Sequence, residues 1–391
     1  VGIISVDFLK TDQQVFTKKT MNKKETLFNT SLVLAGLSLA GIVVLFLLDY
    51  QMAASLMVLA LFAFLLLGMQ GSSRLKGFSF TVWVLAAVAI GLIFPGYLTE
   101  VGGYNTEGLI VPLIQLIMFG MGTSMGIKDF LGVVKMPKGV IIGLVSQFTI
   151  MPVLAISLAI LMGFPPEIAA GIVLIGSSPS GVSSNIITYL AKGNLALSIT
   201  LTSFTTILAP ILTPLLMKLL AGQFIPIDFS QMMVSILKMI FLPIIAGMIF
   251  NRVFQGRAVW LHVAMPIVAM AANVVIIGVI VAAGRDSLLE IGLLLLLAAI
   301  IHNASGYFLG YWGCRIFKMN KIDSRTIAIE VGMQNGGMAA GIASEMGKAA
   351  TLGLFPAIFG TWMDISGSFL ANWWRTKPTG EKDASEIIPG E

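Results

Sequence analysis

Along most of the chain, apolar residues run together in stretches separated by short polar loops. A helix needs about 20 such residues to cross a hydrocarbon core of roughly 30 Å. The pattern predicts twelve such segments, near 29–49, 52–70, 79–96, 108–127, 137–162, 166–190, 195–221, 229–250, 258–283, 289–314, 325–346 and 350–374. Two of them break at their centres into Gly, Ser, Asn and Gln: GSSPSGVSSN from Gly176, and GMQNGG from Gly332, directly behind Glu330. Helix-breaking polar backbone at membrane depth is tolerated where it is buried in protein or lines a cavity, and a matched pair of such breaks points to a transporter's binding site. The expected fold class is therefore an all-α integral membrane protein that moves a solute.

The last ten segments divide into two sets of five, 79–221 and 229–374, and in each set the fourth segment is the interrupted one. Because five is odd, the second set enters the membrane from the opposite side, which gives the inverted repeat of alternating-access carriers. The segments within 29–70 stand outside this symmetry and read as an added hairpin, with Met52, Met57 and Met69 as ordinary apolar filling. Residues 1–28 are polar and read as an upstream extension rather than a folded element, residues 375–391 read as a polar tail, and no cleavable signal peptide is expected.

Composition agrees with the membrane reading: 57% of residues are hydrophobic and 11% charged, and mean hydropathy is +0.94, whereas a soluble domain carries about 25% charge. A single cysteine, Cys314, rules out an intrachain disulfide, and two histidines, His262 and His302, are too few for a zinc cluster. The net charge of +5 does not indicate a nucleic-acid partner. With both termini assigned to the cytoplasm of a plasma-membrane protein, 20 of the 24 Lys and Arg fall in cytoplasmic loops and tails, the bias that orients membrane proteins. Arg285 and Lys348 fall outside, while Lys218 and Lys238 lie toward the outer ends of apolar segments, where long stems snorkel to the headgroups.

In the first break Pro179 removes a backbone donor, and Gly176 and Gly181 weaken the helix, so groups near Ser180 need other partners. Ser198 and Thr202, an i,i+4 pair, place two hydroxyls on one helix face. Taken alone, such hydroxyls also serve their own helix's carbonyls. Glu330 is harder to explain, since an acid at the bilayer centre costs about 2.5 to 3.5 kcal/mol without compensation. Either it stays protonated or a cation sits beside it, and Gln334 and Asn335 follow with further oxygens. Asp364 has two readings, part of a proton or ion route or a hydrogen-bonded group in a helix contact. Gln147, taken alone, reads as an interhelical hydrogen bond.

The runs PSGVSSNIITYLAKGNLALSITLTS from Pro179, EVGMQNGGMAAGIA from Glu330, SQFTIMP from Ser146 and HNASGY from His302 resemble signature regions of the bile acid:sodium symporter family, over roughly residues 80–374. The resemblance implies a core domain, about 137–221 and 289–374, moving against a panel, about 79–127 and 229–283, with the interrupted helices crossing inside the core. It implies two Na+ sites: Ser184, Asn185, Ser198, Thr202 and Glu330 match one, and Gln147, Glu330, Gln334 and the carbonyls of Val331 and Met333 match the other. It also implies an organic anion, bile-acid-like or a small carboxylate, bound beside the crossing, with Asn335 and the backbone around Gly181, Val182 and Ser183 as anchors. Val182 stands where many members have Thr, and Ser180 where many have Gly. Rival readings are a proton-coupled carrier or a non-transporting sensor on the same fold. An intramembrane hydrolase would need an acid dyad, a Ser with a Lys or His base, or zinc ligands, and no protease motif surrounds Glu330 and Asp364.

Overall fold

The computed structural model describes residues 4–72, 75, 78–124, 136–254 and 259–377. Arg74, Lys76, Lys128, Lys135, Arg257 and Lys382 of the basic loops and tails lie outside the described residues, as does the tail beyond 377. Two compact units divide at Ile93.

The first unit begins with α1 (Ile4–Leu47) and α2 (Gln51–Met69) and ends with α3 (Ser79–Ile93). The expectation that residues 1–28 stay outside any folded element is corrected here, because α1 starts at Ile4. No Gly or Pro occurs between residues 4 and 28 to stop a helix extending back from the apolar run. A tight turn with Asp49 at φ 60° reverses the chain, and α1 and α2 pack antiparallel through small residues. A Cβ on Gly41 would lie 2.8 Å from Met57, and one on Gly68 would lie 2.6 Å from Leu32. The exposed Leu, Val and Phe side chains on this hairpin suit a lipid surroundings.

The second unit opens with the short α4 (Gly96–Thr99) and a two-residue ladder of β1 (Glu100–Val101) against β2 (Tyr104–Asn105). Then come α5 (Ile110–Ser124), α6 (Pro137–Leu161), α7 (Pro166–Gly176), α8 (Ser183–Leu190) and α9 (Leu195–Leu216). The chain continues through α10 (Phe229–Ile236), α11 (Leu242–Phe254), α12 (Val259–Ala283) and α13 (Arg285–Ile316). It closes with α14 (Lys321–Gly332), α15 (Gly336–Glu345) and α16 (Leu354–Arg375).

Within this unit α6 to α9 pack with α13 to α16, so each group contributes one broken helix flanked by unbroken ones. A second cluster forms where α11 and α12 pack on α5. Turns of π-helix at Met217–Ala221 and Leu237–Phe241 carry Lys218 and Lys238, both exposed.

Among the described residues, eight helical stretches are long and apolar enough to cross a membrane, against the twelve segments expected. The difference has a physical basis. The pieces α7, α8, α14 and α15 have 11, 8, 12 and 10 residues, and at 1.5 Å per residue each reaches about 12 to 18 Å, roughly half a bilayer core. The helix α3 has only 15 residues, and Asp364 with its neighbouring Ser and Gly residues dilutes the apolar character of α16.

Candidate functional site

The two breaks meet. Helix α7 ends at Gly176 before Pro179, and α14 ends at Gly332, leaving both chains extended where they cross. Ser180 and Gln334 pair as an antiparallel bridge: the Gly181 N–H donates to the Met333 carbonyl at 2.9 Å, and the Asn335 N–H donates to the Pro179 carbonyl at 2.8 Å. Backbone groups orphaned by one break are thus satisfied by the other, as buried amides and carbonyls require. Glycine is needed at 181 because a Cβ would lie 2.6 Å from the Gln334 carbonyl oxygen. Asn335 then caps α15, its Oδ1 accepting from the Met338 N–H at 2.9 Å.

Glu330 lies two residues before the end of α14 and is 2% exposed. Its Oε1 accepts from Ser184 Oγ at 2.6 Å and from Ser198 Oγ at 2.5 Å, and its Oε2 accepts from Thr202 Oγ1 at 2.9 Å. The i,i+4 spacing delivers Ser198 and Thr202 from α9 while α8 delivers Ser184. Asn185 joins through Oδ1, an alternative acceptor for the same hydroxyls, 2.8 Å from Ser198 Oγ and 3.4 Å from Thr202 Oγ1. Six side-chain oxygens from three helices join in one hydrogen-bonded group. A rotating hydroxyl presents either its proton or its lone pairs, so the same oxygens suit a carboxylate alone or a hard cation. Thr202 Oγ1 also lies 3.1 Å from the Ser198 carbonyl, so its single proton has the local helix carbonyl and the Glu330 carboxylate as competing acceptors.

The second group of expected ligands is also gathered, but it is knit by its own amides. Gln147 Nε2, from α6, donates to Gln334 Oε1 at 2.7 Å and to the Ser178 carbonyl at 3.0 Å. Gln334 Nε2 donates to the Val331 carbonyl at 2.6 Å, and the Met333 carbonyl is taken by Gly181. The Glu330 carboxylate makes its short contacts in the first group, and toward the second the Glu330 carbonyl accepts from Ser180 Oγ at 3.1 Å.

Of the expected solute anchors, Gly181 is committed to the bridge, Val182 is 38% exposed, and Ser183 begins α8 half-buried. Asn335 is 5% exposed, and its Nδ2 has no hydrogen-bond partner among the described residues. His302 packs beside Phe355 and Phe359 with Nε2 at 3.1 Å from the Met151 carbonyl, an interhelical contact away from the carboxylate group.

Several supporting residues were not singled out from the sequence. Asn303 Nδ2 donates to the Gly332 carbonyl at 2.9 Å and its Oδ1 accepts from Ser366 Oγ at 2.6 Å, so α13 and α16 hold the end of α14. Ser180, noted as a departure from the family pattern and for the backbone groups around it, lies 3.1 Å from the Glu330 carbonyl and 3.5 Å from Gln147 Oε1. The adjacent polar pair His302–Asn303 in an otherwise apolar segment was the available signal for Asn303.

Comparisons with known proteins give this geometry its context. A model of the Sodium Bile acid symporter family matches residues 111–291. The chain is 40% identical over 306 residues to the "Uncharacterized sodium-dependent transporter YocS" of Bacillus subtilis (strain 168), covering 78% of this chain and 93% of that one. It is 33% identical over 297 residues to the "Probable sodium/metabolite cotransporter BASS1, chloroplastic" of Arabidopsis thaliana, covering 76% and 73%. A rice protein of the same name, from Oryza sativa subsp. japonica, is 33% identical over 308 residues, covering 78% and 74%. Fold and matches together define a multi-pass membrane transporter rather than an enzyme. The chain belongs to the sodium bile acid symporter family, whose members are sodium-dependent transporters.

Proposed function

We propose that the chain is a sodium-coupled symporter of an organic anion that works by alternating access, with two Na+ sites at the crossing. One Na+ lies among Ser184, Asn185, Ser198, Thr202 and Glu330. The other lies among Gln147, Gln334, Glu330 and the carbonyls of Val331 and Met333, where it replaces the Gln147–Gln334 hydrogen bond. The observation that carries the proposal is the Glu330 carboxylate: it receives three hydroxyls and forms no ion pair with a basic side chain among the described residues. In hydrocarbon surroundings a bound cation answers the cost of that charge.

The solute's carboxylate lies beside the crossing, on Asn335 and the backbone amides around Gly181, Val182 and Ser183, where α8 and α15 open with the positive ends of their dipoles. Two five-helix halves of inverted topology fit the recurrence of a broken helix between unbroken ones in α6 to α9 and in α13 to α16. Lys and Arg placement favours a plasma-membrane protein with both termini in the cytoplasm. Sodium acts by binding one transport state more tightly than the other.

The test is thermal stability of the purified full chain titrated with NaCl against KCl. Sodium raises the unfolding temperature of the wild type and leaves Glu330→Gln unmoved, since a ligand stabilises only the state that binds it. A Glu330→Gln chain with a wild-type sodium response sinks the assignment.

A further inference from the structure

On α16, Gly360, Asp364 and Gly367 are spaced i, i+4 and i+7 and so share one face. That face runs along the crossing. At one end a Cβ on Gly336, which opens α15, would lie 3.5 Å from the Gly360 Cα; at the other, a Cβ on Gly367 would lie 3.2 Å from Met333 Sδ and 3.4 Å from Ile187. Asp364 stands between these contacts, half-buried. No Lys or Arg forms an ion pair with it among the described residues.

The same small region therefore holds two opposed features. The start of α8, the start of α15 and the unpartnered Asn335 Nδ2 all favour an anionic group. The Asp364 carboxylate disfavours a solute that is anionic throughout, because like charges side by side in a partly desolvated site repel, and such repulsion is a means of specificity. A solute with a cationic nitrogen close to its carboxylate satisfies both features at once.

We propose that Asp364 is a specificity-determining residue and that the site takes a small zwitterion, such as an amino acid or a betaine. Its carboxylate lies on Asn335 Nδ2 and the half-helix amides, and its cationic group lies on Asp364. This rests on the reading of the crossing as the solute site and keeps the carboxylate proposed there, but replaces an anionic solute with one that also carries a compensating positive charge.

The experiment uses matched probes that differ only in nitrogen against carbon: alanine against isobutyrate, γ-aminobutyrate against valerate, and glycine betaine against tert-butylacetate. Each is titrated against the thermal stability of the full chain in NaCl and in KCl. In NaCl at least one zwitterion stabilises the wild type more tightly than its carbon isostere. Asp364→Asn lowers that preference on the order of thirtyfold, as expected for removing one partner of a buried charge pair, and Asp364→Glu retains it. A wild type that favours the isosteres or responds to none of the probes overturns the proposal, as does an Asp364→Asn chain with the wild-type preference. Should Asp364→Asn fail to fold, the wild-type comparison decides alone. A chain that NaCl does not stabilise over KCl overturns the sodium reading instead, and the zwitterion preference is then read in KCl.

Discussion

The residues that gather at the crossing differ in how visible they are one at a time. Glu330 stands out because an acid in an apolar run demands a partner, and the structure supplies three hydroxyls within 2.9 Å. Ser198 and Thr202 become conspicuous only beside it, since a lone Ser or Thr in a membrane helix usually serves its own backbone. Ser180 and Asn303 carry no such mark: their decisive bonds go to Glu330 and Gly332, 150 and 29 residues away in the chain. At this scale Ser198→Ala removes the 2.5 Å contact to the carboxylate and one candidate sodium ligand while leaving the rest of the group in place. A hydrogen bond to a charged group contributes about 1.5 to 3 kcal/mol, so the apparent sodium affinity falls roughly ten- to hundredfold. A sodium titration of thermal stability reads this directly, and an unchanged midpoint would remove Ser198 from the ligand set.

At the scale of elements, the broken helices were legible because Pro and Gly within an apolar run leave backbone groups that a straight helix would satisfy. Their mutual pairing was not legible, because a bridge of one residue pair leaves no periodicity in either strand. The π turns at Met217–Ala221 and Leu237–Phe241 were equally hidden, since widening a helix by one residue per turn has no composition of its own. The start of α1 was missed for a different reason: polar residues are compatible with helix as long as nothing stops it. The crossing is nevertheless sterically exacting. Gly181→Ala forces a methyl group to 2.6 Å from the Gln334 carbonyl oxygen, and overpacking of this kind costs about 1 to 3 kcal/mol. The expected outcome is a lower unfolding temperature together with a weakened sodium response; a variant with both unchanged would show that the bridge is dispensable.

For the whole molecule, membrane character and the presence of two broken helices come from hydropathy, and the proposed orientation from charge, which act over tens of residues. How the helix groups pack against each other depends on side-chain complementarity across the unit, where local pattern carries no information. A gradient experiment addresses this scale. In proteoliposomes loaded to equal pH on both sides, an inward sodium gradient drives uptake of whichever matched probe binds, and a proton gradient alone does not. Uptake driven by the pH gradient without sodium would transfer coupling from Na+ to H+ at Glu330.

The bridge between Ser180 and Gln334 also makes the two halves report on each other through isotope exchange. The Gly181 and Asn335 amide protons are each held by a carbonyl of the opposite break, at 2.9 and 2.8 Å, so neither can meet deuterated solvent until the two segments part. Their deuteration rates should therefore slow together when sodium is added, although they sit 154 positions apart in the chain, because separation of the strands is one opening event shared by both.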